Sequence, residues 1–262
     1  GRVDPTIVAP LVEALRREGP DVTVVSGDFV QNGTRGEFEQ AREFVLQLPG
    51  QRILVPGNHD LPFANVFRRF VTGLGLYKQY ITADIEPFWC DDEIAIMGVS
   101  TARRWPMRGG RIHERQVGAI EQRLCSLNPA ITKILVTHHP FDLAPHYRRG
   151  DLVGRARMAM ARLAQSIDIL LAGHMHFSHT GRTAVRYRLQ GRSAVFVQAG
   201  TATSTRGRGE PNAYNLLHID RTTLSVELHR WQSHQKRFHC AASERFELWR
   251  DSAAACGVRQ GV

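Results

Sequence analysis

Apolar residues along the chain fall into two alternating spacings. Residues 5–18 place Ile7, Val8, Leu11, Val12 and Leu15 at helical intervals behind Pro5, which a first helical turn tolerates. Gly19-Pro20 stops that helix. Residues 22–26 are a short β-branched run and predict a buried strand. Helical spacing returns over 34–48, where Thr34 and Glu37 complete a Thr-x-x-Glu capping box. A strand follows over 52–55 and a short helix over 63–71. Residues 81–100 hold two strand-like runs, Phe88-Trp89-Cys90 and 94–99, parted by the acidic turn Asp91-Asp92-Glu93. Residues 103–111 read as a loop containing Pro106 and Gly109-Gly110. Then come a helix over 113–127, a strand over 131–137, a helix over 153–165 and a strand over 167–172. Beyond Thr180 the helical period vanishes. Residues 183–189, 194–199, 214–220, 224–230 and 237–248 predict successive strands, and 251–262 a loose tail.

Strands alternating with helices, followed by a run of antiparallel strands, predict an α/β fold with a mixed sheet. No repeat, low-complexity tract or linker divides the chain, so residues 1–250 read as one domain. The composition supports a packed core: 42% of the 262 residues are apolar and 23% charged. That excludes a disordered chain. No apolar run reaches the ~18 residues of a membrane span, and the opening Gly1-Arg2-Val3-Asp4-Pro5 has no signal-peptide core. Cys90, Cys125, Cys240 and Cys256 are scattered without a Cys-x-x-Cys pair, which reads as four reduced thiols in a cytoplasmic protein. The formal charge of +9 comes largely from dispersed arginines. It suits an anionic ligand, whether nucleic acid or a phosphorylated small molecule, and equally a solvated arginine-rich surface.

Chemistry collects where the buried strands end. Residues 22–26 run into Gly27-Asp28, and 53–55 into Pro56-Gly57-Asn58-His59-Asp60. Residues 134–137 run into His138-His139-Pro140, and 167–172 into Gly173-His174-Met175-His176. Ligands of open α/β sheets sit beyond the carboxyl ends of the strands, so these tips converge if the strands share one parallel sheet. One histidine beside a strand is ordinarily packing. Four such tips in succession, bearing Asp, Asn and His, are not. Carboxylate, amide oxygen and imidazole without sulfur suit catalytic Mn, Fe or Zn. Two ions ~3.5–4 Å apart need a bridging carboxylate, and Asp28 is the natural bridge.

These motifs, in this order, resemble the calcineurin-like metallophosphoesterases, closest to their bacterial cyclic-nucleotide-phosphodiesterase-like branch. The resemblance covers residues 27–176 and implies a four-layer αββα sandwich of two mixed β-sheets. It implies that Asp28 bridges two divalent ions (Mn, Fe or Zn), that Asn58, His138 and His174 complete one shell, and that His176 serves the other. It further implies that Asn58 touches substrate phosphate, that His59 contacts the phosphoryl group or protonates the leaving oxygen, and that Asp60 holds the His59 tautomer. A metal-bridging hydroxide then hydrolyses a phosphodiester or phosphomonoester. The family opens with a strand ending in Asp-x-His, which supplies two ligands to the His176 side. Asp4 is followed by Pro5-Thr6 and precedes a helix instead. The expectation is a chain cut just after that motif, lacking its first strand, binding one metal well and turning over slowly.

Other residues carry less. His139 reads as a neighbour that orients His138. His146 and His179 read as surface residues, and Trp89, Trp105, Trp231 and Trp249 as packing. The hydroxyls of Gly200-Thr201-Ala202-Thr203-Ser204, the arginines of Arg206-Gly207-Arg208-Gly209 and those of 103–111 are candidates to reach substrate phosphate. A nuclease and a non-catalytic metal-binding module stay open beside the phosphoesterase. A homo-oligomer stays open too, and no membrane partner is expected.

Overall fold

The computed structural model describes residues 2–62, 66–105, 109–144, 147, 149–187, 193–206 and 209–248. Helix α1 (Pro5–Glu18) starts at Asp4, whose side chain accepts from the Thr6 amide, and ends at Gly19 in the left-handed region. After strand β1 (Val22–Val25), α2 (Arg35–Gln47) carries the predicted capping box of Thr34 and Glu37. Strand β2 (Gln51–Leu54), helices α3 (Val66–Val71) and α4 (Gly75–Tyr80), and strands β3 (Phe88–Cys90) and β4 (Ile94–Val99) follow. Next come α5 (Glu114–Cys125), β5 (Thr132–Thr137), α6 (Ala156–Leu163), β6 (Ile169–Ala172) and β7 (His179–Arg182). The chain continues through α7 (Ala184–Tyr187), β8 (Val195–Gln198), β9 (Ala213–Ile219), β10 (Thr223–Gln232) and β11 (Arg237–Glu247).

The backbone pleat sorts the core. β3-β4-β5-β6-β8-β7 form one six-stranded sheet, parallel from β4 to β8 with an antiparallel strand at each edge. Leu135, Leu170 and Phe196 face Val117, Ile120 and Leu124 of α5 and Met160 and Leu163 of α6. Their neighbours Ile134, Ile169, Val195 and Val197 point the other way. There they meet Val22, Val24 and Ile53 of β1–β2, and Leu217, Ile219, Leu224 and Val226 of β9 and β10. Beyond that layer α1 packs Ile7, Leu11 and Ala14 on Tyr214 and Phe238, beside Phe44 of α2. The layers therefore run helix, sheet, sheet, helix, as an αββα sandwich.

Three details correct the sequence expectations. First, the ligand-bearing strands do not share one sheet. β1 and β2 pair in parallel with each other, while β5 and β6 lie in the six-stranded sheet. Their tips meet across the sandwich, not along one sheet. Second, 183–187 is not a strand, and 188–189 lie outside the described residues. Thr183 to Tyr187 turns helical because Arg186 reaches Asp142 Oδ1 at 2.6 Å and the Leu143 and Ala144 carbonyls, while Tyr187 donates to the Phe141 carbonyl. These tertiary bonds override a β-leaning composition; the strand there is β7, just upstream. Third, Cys90 and Cys240 are free thiols but Cys125 is disulfide-bonded.

The β1–β2 layer is split from the rest of its layer. Among the described residues, β1 pairs only with β2, and β9 only with β10. A cavity of about 1400 Å³ separates them, lined by Val22 and Val24 on one side and Leu217 and Ile219 on the other. It extends from Arg2 and Val3 to Asp28, His174 and His176.

Candidate metal centre

Each donor is set by a strand end. Asp28 lies just past β1, Asn58 past β2, His138 directly after β5 and His174 past β6. The backbone turns sharply at these points: Asp28, His174 and His176 all hold positive φ, at 59°, 72° and 61°. Non-glycine residues in this region concentrate at functional sites. The glycines make room. A Cβ on Gly57 would lie 2.2 Å from Asp28 Oδ1, and one on Gly27 would lie 2.6 Å from His138 Nδ1.

His138 Nε2 is the focus. Asn58 Oδ1 lies 3.2 Å from it, His174 Nδ1 3.2 Å and Asp28 Oδ2 3.4 Å. His138 Nδ1 sits 2.7 Å from the Ser26 carbonyl, an acceptor only, so Nδ1 carries the ring proton. Nε2 of the neutral ring, the amide oxygen and the carboxylate are then all acceptors facing one another. A proton on Nε2 satisfies one of these contacts. A divalent cation satisfies all of them, and the carbonyl behind Nδ1 is the usual support of a ligating imidazole. His138 and Asn58 are buried to 1% exposure. Burial pushes the His138 imidazolium down, but the Asp28 charge and hydrogen bond, the Ser26 carbonyl and the Asp60 charge together raise the group. Burial likewise pushes Asp28 up, and His138 and His59 more than reverse it, holding the carboxylate well below its ordinary range. The site calls for positive charge.

Asp60 does different work from that expected. Its two oxygens accept from the amides of Gly57 at 2.7 Å, Asp28 at 3.1 Å and Val30 at 3.2 Å. It thus ties the loop after β1 to the loop after β2. Burial and the neighbouring Asp28 charge raise it above the ordinary carboxylate range. The His59 ring is held by the Gln31 carbonyl, 2.8 Å from Nδ1, and its amide donates to Asp28 Oδ1 at 2.9 Å. Gln31 Nε2 lies 3.2 Å from the same Nδ1, so Gln31 holds this side of the ring through both its carbonyl and its side chain.

His139 comes closer to the centre than its neighbour role required. The ligand nitrogens of His138, His139 and His174 all lie within 4.8 Å of one another. Its Nδ1 is 2.9 Å from Thr101 Oγ1, a residue the sequence reading passed over. Thr101 follows β4, so a hydroxyl at a fifth strand tip was the available signal. Arg69 was missed as well. Fully buried, it donates to the carbonyls of Asn58, Leu61, Pro62, Arg103 and Arg104, so it clamps the Asn58 loop to the loop after β4. That loop holds arginines named above as phosphate contacts, of which residues 106–108 lie outside the described residues.

His176 lines the same cavity as Asp28, His59 and His174, as do residues 200–204 and Arg206. His179 sits in β7, edge-on to Phe196. Trp89 and Trp231 pack in the core, whereas Trp105 is exposed. His146, Gly207, Arg208, Trp249 and the tail 251–262 lie outside the described residues.

The fold is an α/β sandwich that gathers nitrogen and oxygen donors at its strand tips. The chain belongs to the calcineurin-like phosphoesterase family, whose profile matches residues 7–178. Over 170 residues it is 26% identical to the glycerophosphodiester phosphodiesterase GpdQ of Enterobacter lignolyticus, covering 61% of this chain and 57% of that protein. It is 25% identical to a probable cyclic nucleotide phosphodiesterase of Synechococcus sp., covering 62% and 60%. The chain thus spans about three fifths of the length of the curated relatives it matches. A dimetal phosphatase from Danio rerio shares the fold: TM-score 0.61, 14% identity, 93% of this chain and 89% of that one.

Proposed function

We propose that this chain is the metal-binding body of a phosphodiesterase. The observation that carries the reading is the convergence of acceptors on His138 Nε2 from four strand tips. Asp28, Asn58, His138 and His174 hold one divalent ion. Asp28 and His176 begin the shell of a second. Bound ions of this kind activate water and neutralise charge on phosphoryl oxygens. The protein's own residues then position the ester. His59, held at Nδ1 by Gln31, offers Nε2 to the phosphoryl group or the leaving oxygen. Asp60 keeps Asp28 and the Asn58 turn at fixed separation through its amide bonds.

Two further donors would complete that shell, and the cavity between β1 and β9 would admit a strand bearing them. It is flanked by two strand edges and ends at Asp28 and His176. The 262 residues alone are expected to bind one Mn²⁺ tightly and hydrolyse bis-p-nitrophenyl phosphate slowly. A version lengthened upstream of Gly1 by a strand ending in Asp-x-His is expected to bind a second equivalent and turn over faster. In either, Asp28→Ala and His174→Ala abolish metal-dependent turnover. Variants indistinguishable from the parent, or no metal-dependent hydrolysis in the lengthened chain, overturn the reading. Stoichiometric metal without turnover in that chain favours a non-catalytic metal-binding module.

A further inference from the structure

The C-terminal sheet carries a second cluster of metal-ligating groups, outside the centre described above. Glu227 and His229 are two apart on β10 and so share one face. Ser225 pairs with His218 of β9, which places His218 on that face too. Cys240 reaches it through an irregularity. Leu228 pairs with Ala242, but the next pair is His229 with Cys240, so Ala241 is an extra residue on β11. An unbroken register would oppose His229 to Ala241 and turn Cys240 to the other face. The bulge re-aims Cys240 onto the histidine, a use of bulges seen beside sites.

The result is a convergence of unlike donors. One carboxylate oxygen of Glu227, one ring nitrogen of His229 and the Cys240 sulfur lie within 4.8 Å of one another. His229 is nearly buried and fixed from behind. Its ring stacks on Tyr214 at 4.8 Å, and the Tyr214 hydroxyl lies 3.1 Å from Nδ1. Nε2 is thereby presented to Glu227 Oε2, 3.0 Å away. His218 Nε2 stands 3.7 Å from the other Glu227 oxygen. A ring held at one nitrogen, with the other aimed at a carboxylate, is how a ligating histidine is supported. Cys240 is a free, exposed thiol, so an ion has access.

We propose that Glu227, His229 and Cys240, with His218 as a fourth donor, form a second metal site that takes a borderline-soft divalent cation of the Zn²⁺ type. Thiolate, imidazole and carboxylate together select such an ion over Mg²⁺ or Ca²⁺. The bound ion ties β9, β10 and β11 together on the face that also receives α1. This inference does not depend on the phosphodiesterase reading.

Sulfur distinguishes the two sites, because the strand-tip donors include none. The purified 262-residue chain, stripped with a chelator and kept under a non-thiol reductant, is titrated with Co²⁺ and followed by absorption. A thiolate-to-cobalt charge-transfer band is expected, saturating within two equivalents in the parent, whose strand tips also take Co²⁺, and at one in Asp28→Ala. It persists in Asp28→Ala, bleaches when one equivalent of Zn²⁺ is added, and is absent from Cys240→Ser. Glu227→Gln, which keeps the thiol, binds at least ~10-fold more weakly. Zn²⁺ should also raise the Tm of Asp28→Ala and leave that of Asp28→Ala/Cys240→Ser unmoved. No sulfur band at saturating Co²⁺, a band unchanged in Cys240→Ser, or Glu227→Gln with parental affinity overturns the proposal.

Discussion

The two clusters of ligating groups are built in opposite ways. At the strand tips, each donor comes from a loop, and the backbone bends into left-handed turns to aim it. Glycines clear the space, and Asp60 and Arg69 hold the loops with bonds to main-chain atoms. On the β9–β11 sheet the backbone stays extended and the donors stand on one face. Pleat and register aim them there, with one bulge as the exception. Loop-built sites can surround an ion; sheet-built sites present a flat row of donors at fixed spacing. The first geometry leaves room for a substrate, and the second suits a clamp between strands.

The largest expected effect separates the two outright. His138→Ala removes the atom on which three donors converge, and metal-dependent hydrolysis of bis-p-nitrophenyl phosphate should fall at least ~100-fold. The cobalt–thiolate signal should not change. Loss of both signals in a folded variant would mean that the clusters are not independent.

Gly57→Ala is a subtler break of the first cluster. Its methyl would lie 2.2 Å from Asp28 Oδ1, so either the carboxylate shifts or the loop does. Overpacking of this kind costs about 1–3 kcal/mol. Mn²⁺ affinity by calorimetry should weaken ~10-fold or more, while Co²⁺ binding through Cys240 is unaffected.

Arg69→Met should act on the first cluster without touching a ligand. It strands carbonyls on both loops, for a loss of roughly 1–3 kcal/mol in urea denaturation. A parental unfolding midpoint would show that the clamp is not needed.

The smallest effect lies outside both clusters and serves as a control. Thr34→Ala removes the α2 cap, for about 1 kcal/mol, with both metal affinities unchanged. Burial pushes Glu37 of the same box up, but amide and hydroxyl bonds from Thr34 and Asn32 outweigh it and lower its pKa. A lowered folded pKa means the contribution is full above the ordinary glutamate value of ~4.3. It fades as pH falls through the lower folded value. The stability difference between parent and Glu37→Gln should therefore be present at pH 7 and shrink below pH ~4.

The same contrast explains what could be read from the chain. Helical spacing, the capping box and β-branched runs are local, so α1, α2 and most strands were legible within a residue or two. The strand-tip centre was legible because each donor adjoins its strand in sequence: Asp28, Asn58, His138 and His174 needed no knowledge of pairing. Contacts that depend on tertiary placement were not legible. Arg186 bound to Asp142 turned a predicted strand into α7. The contacts of His59 with Gln31 were not legible either, because Gln31 lies 28 residues away in sequence. Glu227, His229 and Cys240 became a cluster only through antiparallel register and the extra Ala241. No spacing rule announces a bulge.

The left-handed turns at Asp28, His174 and His176 have one more consequence. Each holds a non-glycine residue where glycine would rest more easily, at ~1–3 kcal/mol apiece for strained conformations of this kind. The centre is therefore maintained against the chain's own conformational preference. His176→Gly should raise the Tm while removing a side chain of the proposed second shell. On the proposed function, selection for thermostability alone would erode these three positions first, because stability and metal binding then pull them in opposite directions.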